Sequence, residues 1–170
     1  MPSLGAASCA RCRATAQPDP RRRSMPHTGS CLCGAARYSF DTPVTQAGAC
    51  HCSMCRKWSG GIGLAVEVAS DGLSIDQGDT IKVYKSSEWG ERAFCGACGS
   101  SLWFRLVAPG PQHGTYYLNM GGLDDTDGIS LAMEMFIDAK PKGYALEGDH
   151  QRITAAEFYA MIEADIAKTT

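Results

Sequence analysis

Residues 50–55 read Cys-His-Cys-Ser-Met-Cys, which places three thiols within six positions. Thiols at this density indicate a metal site or disulfides, because an ordinary apolar core has no need of them. Two further pairs lie far away in the sequence, Cys31 with Cys33 and Cys95 with Cys98. These seven sulfurs suffice for one closed site of four ligands and one site of three ligands with an open position. Structural zinc takes the first form and catalytic zinc the second.

The cysteine pattern favours reduced, metal-bound thiols over a disulfide framework. The count of nine is odd, and residues 1–9 lack the basic segment and the long apolar segment of an export signal. Sulfurs spaced Cys-x-Cys and Cys-x-x-Cys also converge on one ion more easily than they bridge each other. We therefore expect a reducing compartment, most simply the cytoplasm.

The composition indicates a globular protein with a substantial core. Of the 170 residues, 44% are hydrophobic and 20% are charged, so we expect one domain with or without a tail. The net charge of −2 argues against nucleic-acid binding as the main function. No apolar run approaches the roughly 18 residues of a membrane-spanning helix. We therefore expect neither a nucleic acid nor a membrane as partner.

Residues 1–28 differ from the rest of the chain, since they are rich in arginine and proline and have no apolar periodicity. We predict that they form a disordered N-terminal extension and that residues 29–170 form a single zinc-binding domain. Cys9 and Cys12 lie in the extension without a flanking strand, and we do not expect them to bind metal. Two other interpretations are an organellar transit peptide and an upstream extension before a true start at Met25.

From residue 29 onward, short apolar segments bounded by turn residues predict strands. The predicted strands are residues 35–40, 63–68, 73–75, 81–84, 116–120 and 133–137, the last of which would also tolerate a helix. Residues 91–94 and 101–106 form a predicted hairpin with Cys95 and Cys98 at its tip. The fold class is therefore mainly β.

The clearest helix is predicted at the C-terminal end. Residues 154–157 read Thr-Ala-Ala-Glu, which is a capping box. The apolar residues that follow share one helical face, which we expect to pack against the core. They are Phe158, Met161, Ile162 and Ile166.

Strand alternation would bring each Cys-x-Cys pair to one ion. Side chains i and i+2 of a strand point the same way, so Cys31 can converge with Cys33, and Cys50 with Cys52. His51 would then face the opposite side, and we do not expect it to be a ligand.

The Cys-x-x-Cys pair requires a tight turn instead. Gly96 and Gly99 suit this turn around Cys95 and Cys98, because glycine permits a positive φ and a close backbone approach. Paired spacings of this kind are a strong indication of Zn²⁺.

Spacing alone does not decide which sulfurs share an ion. In one partition, four sulfurs from two remote segments share one ion and form a closed site. A metal stabilises a fold most where it ties remote segments together. We call this set the four-cysteine cluster (Cys31, Cys33, Cys95 and Cys98). The remaining sulfurs form a set with an open position, which we call the cysteine trio (Cys50, Cys52 and Cys55). The alternative is that Cys55, His113 or His150 closes the second site and both ions are structural.

Five motifs of this chain occur in the same order in a known family. They are GSCLCGA at residues 29–35, CHCSMCRK at 50–57, FCGACGSSL at 94–102, GLDD at 122–125 and FIDAKP at 136–141. Over residues 29–144 the chain resembles the glutathione-dependent formaldehyde-activating enzyme family, whose relatives include centromere protein V.

The resemblance implies a zinc-bound β-tent fold of several short antiparallel sheets. It places a structural zinc on the four-cysteine cluster and a catalytic zinc on the cysteine trio, so two Zn²⁺ per chain. The implied activity is a carbon–sulfur lyase reaction, the addition of glutathione to formaldehyde to give S-hydroxymethylglutathione. One departure is visible, because Glu134 stands where many members have a histidine.

A zinc ion on three thiolates carries one net negative charge, so it suits a substrate thiolate better than the ionisation of water. A glutathione-like thiol also brings two carboxylates, which require donors. The candidates are Arg56, Lys57 and the amides of Gly60 and Gly61. The alternative for Arg56 and Lys57 is a solvated surface pair, and Trp58 is expected to pack.

These observations lead to one main hypothesis and two alternatives. The main hypothesis is a zinc-dependent carbon–sulfur lyase that adds a glutathione-like thiol to formaldehyde or a related small aldehyde. The first alternative is a non-catalytic, zinc-stabilised binding module in which the trio is closed by a fourth protein ligand. The second is thiol redox sensing by the trio.

Overall fold

The computed structural model describes residues 26–168. This part of the chain contains eleven strands, two α-helices and two 3₁₀ turns. The strands are β1 (His27–Ser30), β2 (Arg37–Phe40), β3 (Gln46–Cys50), β4 (Gly63–Val68), β5 (Leu73–Gln77), β6 (Ile81–Lys85), β7 (Gly90–Cys95), β8 (Ser101–Leu106), β9 (Tyr116–Asn119), β10 (Ser130–Met135) and β11 (Gln151–Ile153). The helices are α1 (Ser53–Ser59) and α2 (Ala155–Ala167), and the 3₁₀ turns are Met120–Gly122 and Ile137–Ala139. The predicted class, mainly β with a C-terminal helix, is confirmed.

The strands of the described residues form two sheets. The smaller sheet has the order β1-β2-β5 and is antiparallel throughout. The larger sheet has the order β11-β10-β3-β4-β9-β8-β7-β6. Its neighbours are antiparallel except at one end, where β10 runs parallel to both β3 and β11. The resemblance implies several short antiparallel sheets. The described residues form two sheets, and the larger one is mixed because β10 runs parallel to its neighbours.

The hydrophobic core contains residues of both sheets. Tyr38 of β2 is fully buried and meets Trp103 of β8 edge-on, with ring centroids 5.9 Å apart. Gly29 of β1 has to be glycine here, because a Cβ at this position would overlap the Tyr38 ring. Cys31 and Cys95 belong to the same buried cluster. Core packing thus brings the end of the smaller sheet against the β7–β8 hairpin.

Most predicted strands are present with small changes in their bounds. The segments around residues 35–40, 63–68, 81–84 and 116–120 are β2, β4, β6 and β9, and the hairpin is β7–β8. The segment at 133–137 is a strand, β10, and not a helix. The turn at residues 78–79 joins β5 to β6, which lie in different sheets. Four elements were not predicted, namely β1, β3, β11 and α1.

The capping box of α2 is confirmed in detail. The hydroxyl of Thr154 accepts a hydrogen bond of 3.3 Å from the Glu157 amide. The carboxylate of Glu157 accepts one of 2.7 Å from the Thr154 amide. Each side chain therefore satisfies an amide of the first turn that would otherwise lack a partner.

The prediction that the apolar face of α2 packs against the core is wrong. No residue of the helix is buried, and Met161, Ile162 and Ile166 are 42%, 39% and 50% exposed. Phe158 contacts Phe136, with ring centroids 5.0 Å apart, so the helix is held at its first turns. The apolar periodicity indicated a helix correctly, but it did not indicate what covers the apolar face.

The predicted domain boundary at residue 29 falls inside β1, which begins at His27. The predictions for residues 1–25, including the one for Cys9 and Cys12, lie outside the described residues. Neither helix of residues 26–168 has the length and apolar character needed to cross a membrane.

Candidate metal centres and active site

The sulfurs of the four-cysteine cluster lie within 4.8 Å of one another. Cys33 Sγ lies 3.5 Å from Cys31 Sγ and 3.9 Å from Cys95 Sγ. A tetrahedral ion with metal–sulfur bonds of about 2.3 Å would separate its sulfurs by about 3.8 Å. The arrangement of the sulfurs therefore fits a four-thiolate zinc site.

Cys31 and Cys33 lie in the turn between β1 and β2, and not in a strand as expected. The Cys31 amide donates to Ala36 O, the Gly34 amide donates to Cys31 O, and both hydrogen bonds measure 3.0 Å. Gly34 adopts a φ of 76°, which glycine tolerates best. The Ala36 amide also donates to Cys31 Sγ at 3.2 Å. The two sulfurs therefore converge because of a tight turn and not because of strand alternation.

The turn at Cys95 has the predicted form. The Gly99 amide donates to Cys95 O at 2.8 Å, and Gly99 adopts a φ of 78°. Gly96 meets the backbone of a neighbouring segment, since its amide donates to Thr80 O at 2.7 Å. A Cβ at Gly96 would lie 3.1 Å from that same oxygen. One glycine thus provides the positive φ and the other the close approach.

Ser100 joins the two halves of the four-cysteine cluster. Its hydroxyl accepts a hydrogen bond of 3.0 Å from the Leu32 amide and lies 3.2 Å from Cys98 Sγ. The hydrogen bond from Ser100 lowers the pKa of the Cys98 thiol to about 5. This sulfur is therefore ready to act as a thiolate ligand.

The cysteine trio also converges, with its three sulfurs within 4.8 Å of one another. Cys50 is the last residue of β3, Cys52 is the N-cap of α1, and Cys55 lies in the first turn of that helix. The Cys55 amide donates to Cys52 Sγ at 3.4 Å, so a sulfur caps the helix. All three residues are half-buried. Cys50 and Cys52 are thus brought together by a strand end and a helix start, and not by alternation along one strand as expected.

The thiols of the trio differ in the direction in which their pKa values are shifted. Hydrogen bonds from Cys50 and Cys55 hold the pKa of Cys52 well below its usual range. The hydrogen bond to Cys52 raises the pKa of Cys50. A divalent cation on the trio would displace the protons of its thiols.

His51 points away from the trio, as predicted, and forms a buried network with Glu134. His51 Nε2 lies 2.9 Å from Glu134 Oε1, and His150 Nε2 lies 2.8 Å from Glu134 Oε2. The other ring nitrogen of His51 lies 3.0 Å from the Tyr144 hydroxyl. Glu134 thus accepts a hydrogen bond from each of two imidazoles. Burial acts to raise the pKa of Glu134, but the hydrogen bonds from His150 and His51 outweigh it and lower the pKa.

The histidines considered as a fourth ligand have other partners. His150 binds Glu134, and His113 Nδ1 lies 3.1 Å from Ala108 O at an exposed position. Among residues 26–168, the group of converging donors at the second site consists of the three cysteines alone.

The predicted substrate-binding residues lie at the C-terminal end of α1. Arg56 is half-buried, and its Nε donates to His51 O at 2.9 Å, so it is not simply a solvated side chain. Lys57 is exposed, and so are Gly60 and Gly61. Gly60 ends the helix with a φ of 71°. Arg56 therefore binds the backbone of the segment that carries the trio, and Lys57, Gly60 and Gly61 follow it along the chain.

Arg92 is a functional candidate that the sequence did not reveal. It lies in β7 and is only 6% exposed, and its Nη2 is 3.7 Å from Cys55 Sγ. Its guanidinium also contacts the Trp58 ring, which packs against Tyr84 as well and confirms the predicted packing role of Trp58. An arginine within a strand carries no pattern that would connect it to a cysteine 37 positions earlier.

A cavity of about 420 Å³ lies beside the four-cysteine cluster. Its lining is both polar and apolar and includes Ser30, Cys31, Leu32, Leu123 and Asp124. This cavity does not include the residues of the trio.

Fold and sites together define a small, mainly β protein with two cysteine clusters, each able to hold a metal ion. Residues 26–139 match the family model described as glutathione-dependent formaldehyde-activating enzyme. This chain therefore belongs to that family.

Two curated relatives and one solved structure are similar to the chain. An "Uncharacterized lyase" of Schizosaccharomyces pombe is 27% identical over 131 residues, which cover 77% of this chain and 93% of the relative. A "Putative glutathione-dependent formaldehyde-activating enzyme" of Halomonas elongata is 36% identical over 83 residues, which cover 44% of this chain and 53% of the relative. The crystal structure of a Rhodobacter sphaeroides protein has a TM-score of 0.49 at 21% identity and covers 59% of this chain and 90% of that chain.

Proposed function

We propose that this protein is a zinc-dependent carbon–sulfur lyase that adds a glutathione-like thiol to formaldehyde or a related small carbonyl at the cysteine trio. Family membership and the names of the two relatives support a lyase role. The observation that carries the proposal is the difference in ligand number, since four sulfurs converge in one cluster and three in the other. A cytoplasmic location, where thiols stay reduced, is part of the proposal.

The donor sets of both clusters fit zinc. Thiolates are preferred zinc ligands, and the four-cysteine cluster has the number expected of a closed, structural site. The trio has the number expected of a catalytic site that leaves one position for substrate. An ion on the trio would supply a positive charge that keeps a bound thiol deprotonated and nucleophilic at neutral pH.

The chain itself provides a rigid frame for the reaction. Cys50 is fixed by strand pairing and Cys52 by its place at the start of α1. Arg56 holds the connecting backbone through His51 O. A frame of this kind keeps reacting groups in position, which contributes strongly to catalysis.

The exposed end of α1 would bind the carboxylates of the thiol substrate. Lys57 is exposed there, and so are Gly60 and Gly61. In the addition, the thiolate sulfur forms a bond to the carbonyl carbon while the carbonyl π pair moves to oxygen. The oxygen takes up the proton that the thiol lost, so the reaction needs no further reactant.

The proposal is tested by cobalt substitution followed by titration with thiol. Glutathione should change the visible absorption of the cobalt protein, and S-methylglutathione, which lacks a free thiol, should not. In Cys52→Ser the fold and one ion should remain, but the response to glutathione should be lost. The wild type should also form the formaldehyde adduct faster than the uncatalysed reaction. An absorption spectrum that excess glutathione leaves unchanged would show that no thiol reaches the metal.

A second candidate function is a non-catalytic, zinc-stabilised binding module. The observation in its favour is that the cavity of about 420 Å³ lies beside the four-cysteine cluster and not beside the trio. In the module, excess glutathione would leave the cobalt spectrum unchanged, and the protein would not accelerate adduct formation.

A further inference from the structure

We propose that Arg92 is a positioning residue of the cysteine trio, and that its buried guanidinium is the internal counter-charge of the metal-loaded sulfurs. This inference rests on the proposed metal site of the trio, but it does not require the lyase reaction. It assigns to β7 a part in a site whose ligands lie on β3 and α1.

The first observation is that Arg92 is buried without a carboxylate partner. None of the ion pairs among residues 26–168 involves it. Its neighbour Glu91 pairs with Arg105 at 3.3 Å, so that carboxylate is used elsewhere. The hydrogen bond of the Arg92 guanidinium goes to Cys55 Sγ. Since a buried charge is costly unless it is paired, the cysteine trio is the anion that balances Arg92.

The second observation is that two aromatic rings hold the guanidinium in place. The Arg92 Cζ lies 5.7 Å from the centroid of Trp58 and 5.1 Å from that of Phe104. Trp58 follows Cys55 by three positions in α1, so one helix supplies both the sulfur and a stacking ring. A planar guanidinium stacks on such rings, whereas a lysine ammonium does not fit them in the same way. The position of the cation is therefore fixed relative to the sulfur.

The charges explain what Arg92 would do. Three thiolates and one divalent cation leave one net negative charge, and the guanidinium of Arg92 cancels it. An anionic fourth ligand would add a negative charge again, whereas a neutral ligand would not. Arg92 should therefore strengthen the binding of the ion and should favour a thiolate over a neutral ligand at the open position.

The experiment compares full-length Arg92→Gln, which keeps a donor without the charge, with Arg92→Lys, which keeps the charge. Arg105→Gln is the matched control, because Arg105 also stacks on a ring, with Cζ 5.3 Å from the Tyr116 centroid, but its guanidinium pairs with the carboxylate of Glu91. Each protein is loaded with Co²⁺, its ions are counted, and the ion of the trio is withdrawn with a competing chelator. The loaded proteins are then titrated with 2-mercaptoethanol and with imidazole.

Arg92→Gln should bind the ion of the trio about 10- to 100-fold more weakly, as is typical when a residue that supports metal ligands is lost. Arg92→Gln should lose more affinity for 2-mercaptoethanol than for imidazole. Arg92→Lys should keep much of the wild-type preference for 2-mercaptoethanol over imidazole. The ion of the four-cysteine cluster should be unaffected, and Arg105→Gln should match the wild type. If Arg92→Gln does not fold, Arg92→Met serves as the second neutral variant.

Two results would overturn the inference. One is a neutral variant that binds both ions as tightly as the wild type. The other is an equal loss of affinity for the two added ligands, which would indicate packing and not charge. A wild-type protein that binds a single ion would instead contradict the metal site of the proposed function, so the two failures are distinguishable.

Discussion

A buried hydrogen bond of 2.9 Å joins His51 Nε2 to Glu134 Oε1. His51 lies between Cys50 and Cys52 in the chain, and Arg56 binds its carbonyl. The carboxylate therefore supports the backbone segment that carries two sulfurs of the trio. Glu134 therefore has a defined structural role here.

Replacing Glu134 with glutamine should lower the free energy of unfolding by about 2 kcal/mol at neutral pH. The variant keeps the size of the side chain but loses the charge that accepts both imidazole hydrogen bonds, and such bonds are worth about 1.5–3 kcal/mol. Urea unfolding measures the change. Glu147→Gln, which alters an exposed carboxylate, is the control and should change stability by less than about 0.5 kcal/mol. Equal effects of the two variants would contradict the prediction.

The stabilisation that Glu134 provides at neutral pH should be lost at acid pH. Its pKa in the folded protein lies below the ordinary value of 4.5, so the unfolded chain binds the proton first as the pH falls. The stabilisation is thus complete above that ordinary value and is lost as the pH falls through the lower pKa of the folded state. The cations that face the carboxylate are Lys140 and Arg152. The stability difference between wild type and Glu134→Gln should shrink in acid, and a constant difference would count against this account.

Cys95→Ser should prevent folding, because the four-cysteine cluster ties the β1–β2 turn to the β7–β8 hairpin. A structural zinc of this kind contributes on the order of 10 kcal/mol to folding, which exceeds the stability of many domains. Circular dichroism and soluble yield measure the effect. Cys52→Ser is the comparison and should fold with one ion fewer. Cooperative melting of Cys95→Ser near the wild-type temperature would refute the structural assignment.

Gly63→Ala should weaken metal binding by the trio while the fold is retained. Gly63 pairs with Cys50 across β3 and β4, and a Cβ there would lie 3.1 Å from the Cβ of Cys55. The helix would have to move by a few tenths of an ångström, at a cost of about 1–3 kcal/mol. Gly143→Ala is the control, since its Cβ would meet nothing within 4 Å. Metal counts per chain decide the matter, and equal counts and affinities in both variants would disprove the prediction.

Thr154→Ala should destabilise α2 without affecting the rest of the protein. Loss of the capping hydroxyl costs about 1 kcal/mol, and this cost stays local because the helix buries no residue. Far-ultraviolet circular dichroism should show less helix, and a protease should cut the C-terminal segment faster. Metal content and the melting temperature should not change. A melting temperature several degrees lower would indicate that α2 contributes to the common core.

The features that the sequence predicted correctly depend on local signals. The Thr154–Glu157 capping box acts within four residues, and Gly99 acts within one turn. The capping box and the turn need no knowledge of the neighbouring elements. The grouping of the seven cysteines is an exception because it is not local, and it was predicted from the gain in tying remote segments together and from the resemblance.

The features that were missed depend on neighbours. The helix α1 has seven residues and a cysteine at its N-cap, which is not one of the residues that usually mark a helix start. The buried positions of β3 are Ala47 and Ala49, which give no β-branched pattern. Arg92 contacts Trp58 and Phe104, which belong to other elements. The exposed apolar face of α2 was missed for the same reason. Periodicity identifies an apolar face, but it does not show whether other residues of the chain pack against that face.

The sulfur of Cys52 both begins a helix and belongs to the trio. An ion on the trio would hold the Cys52 sulfur and the start of α1 in place, so the hydrogen bond from the Cys55 amide should open less often when the site is filled. The exchange of that one amide proton with deuterium should slow when the ion is bound. A single backbone resonance in a nuclear magnetic resonance spectrum would then report the filling of the site, even with a colourless ion such as zinc.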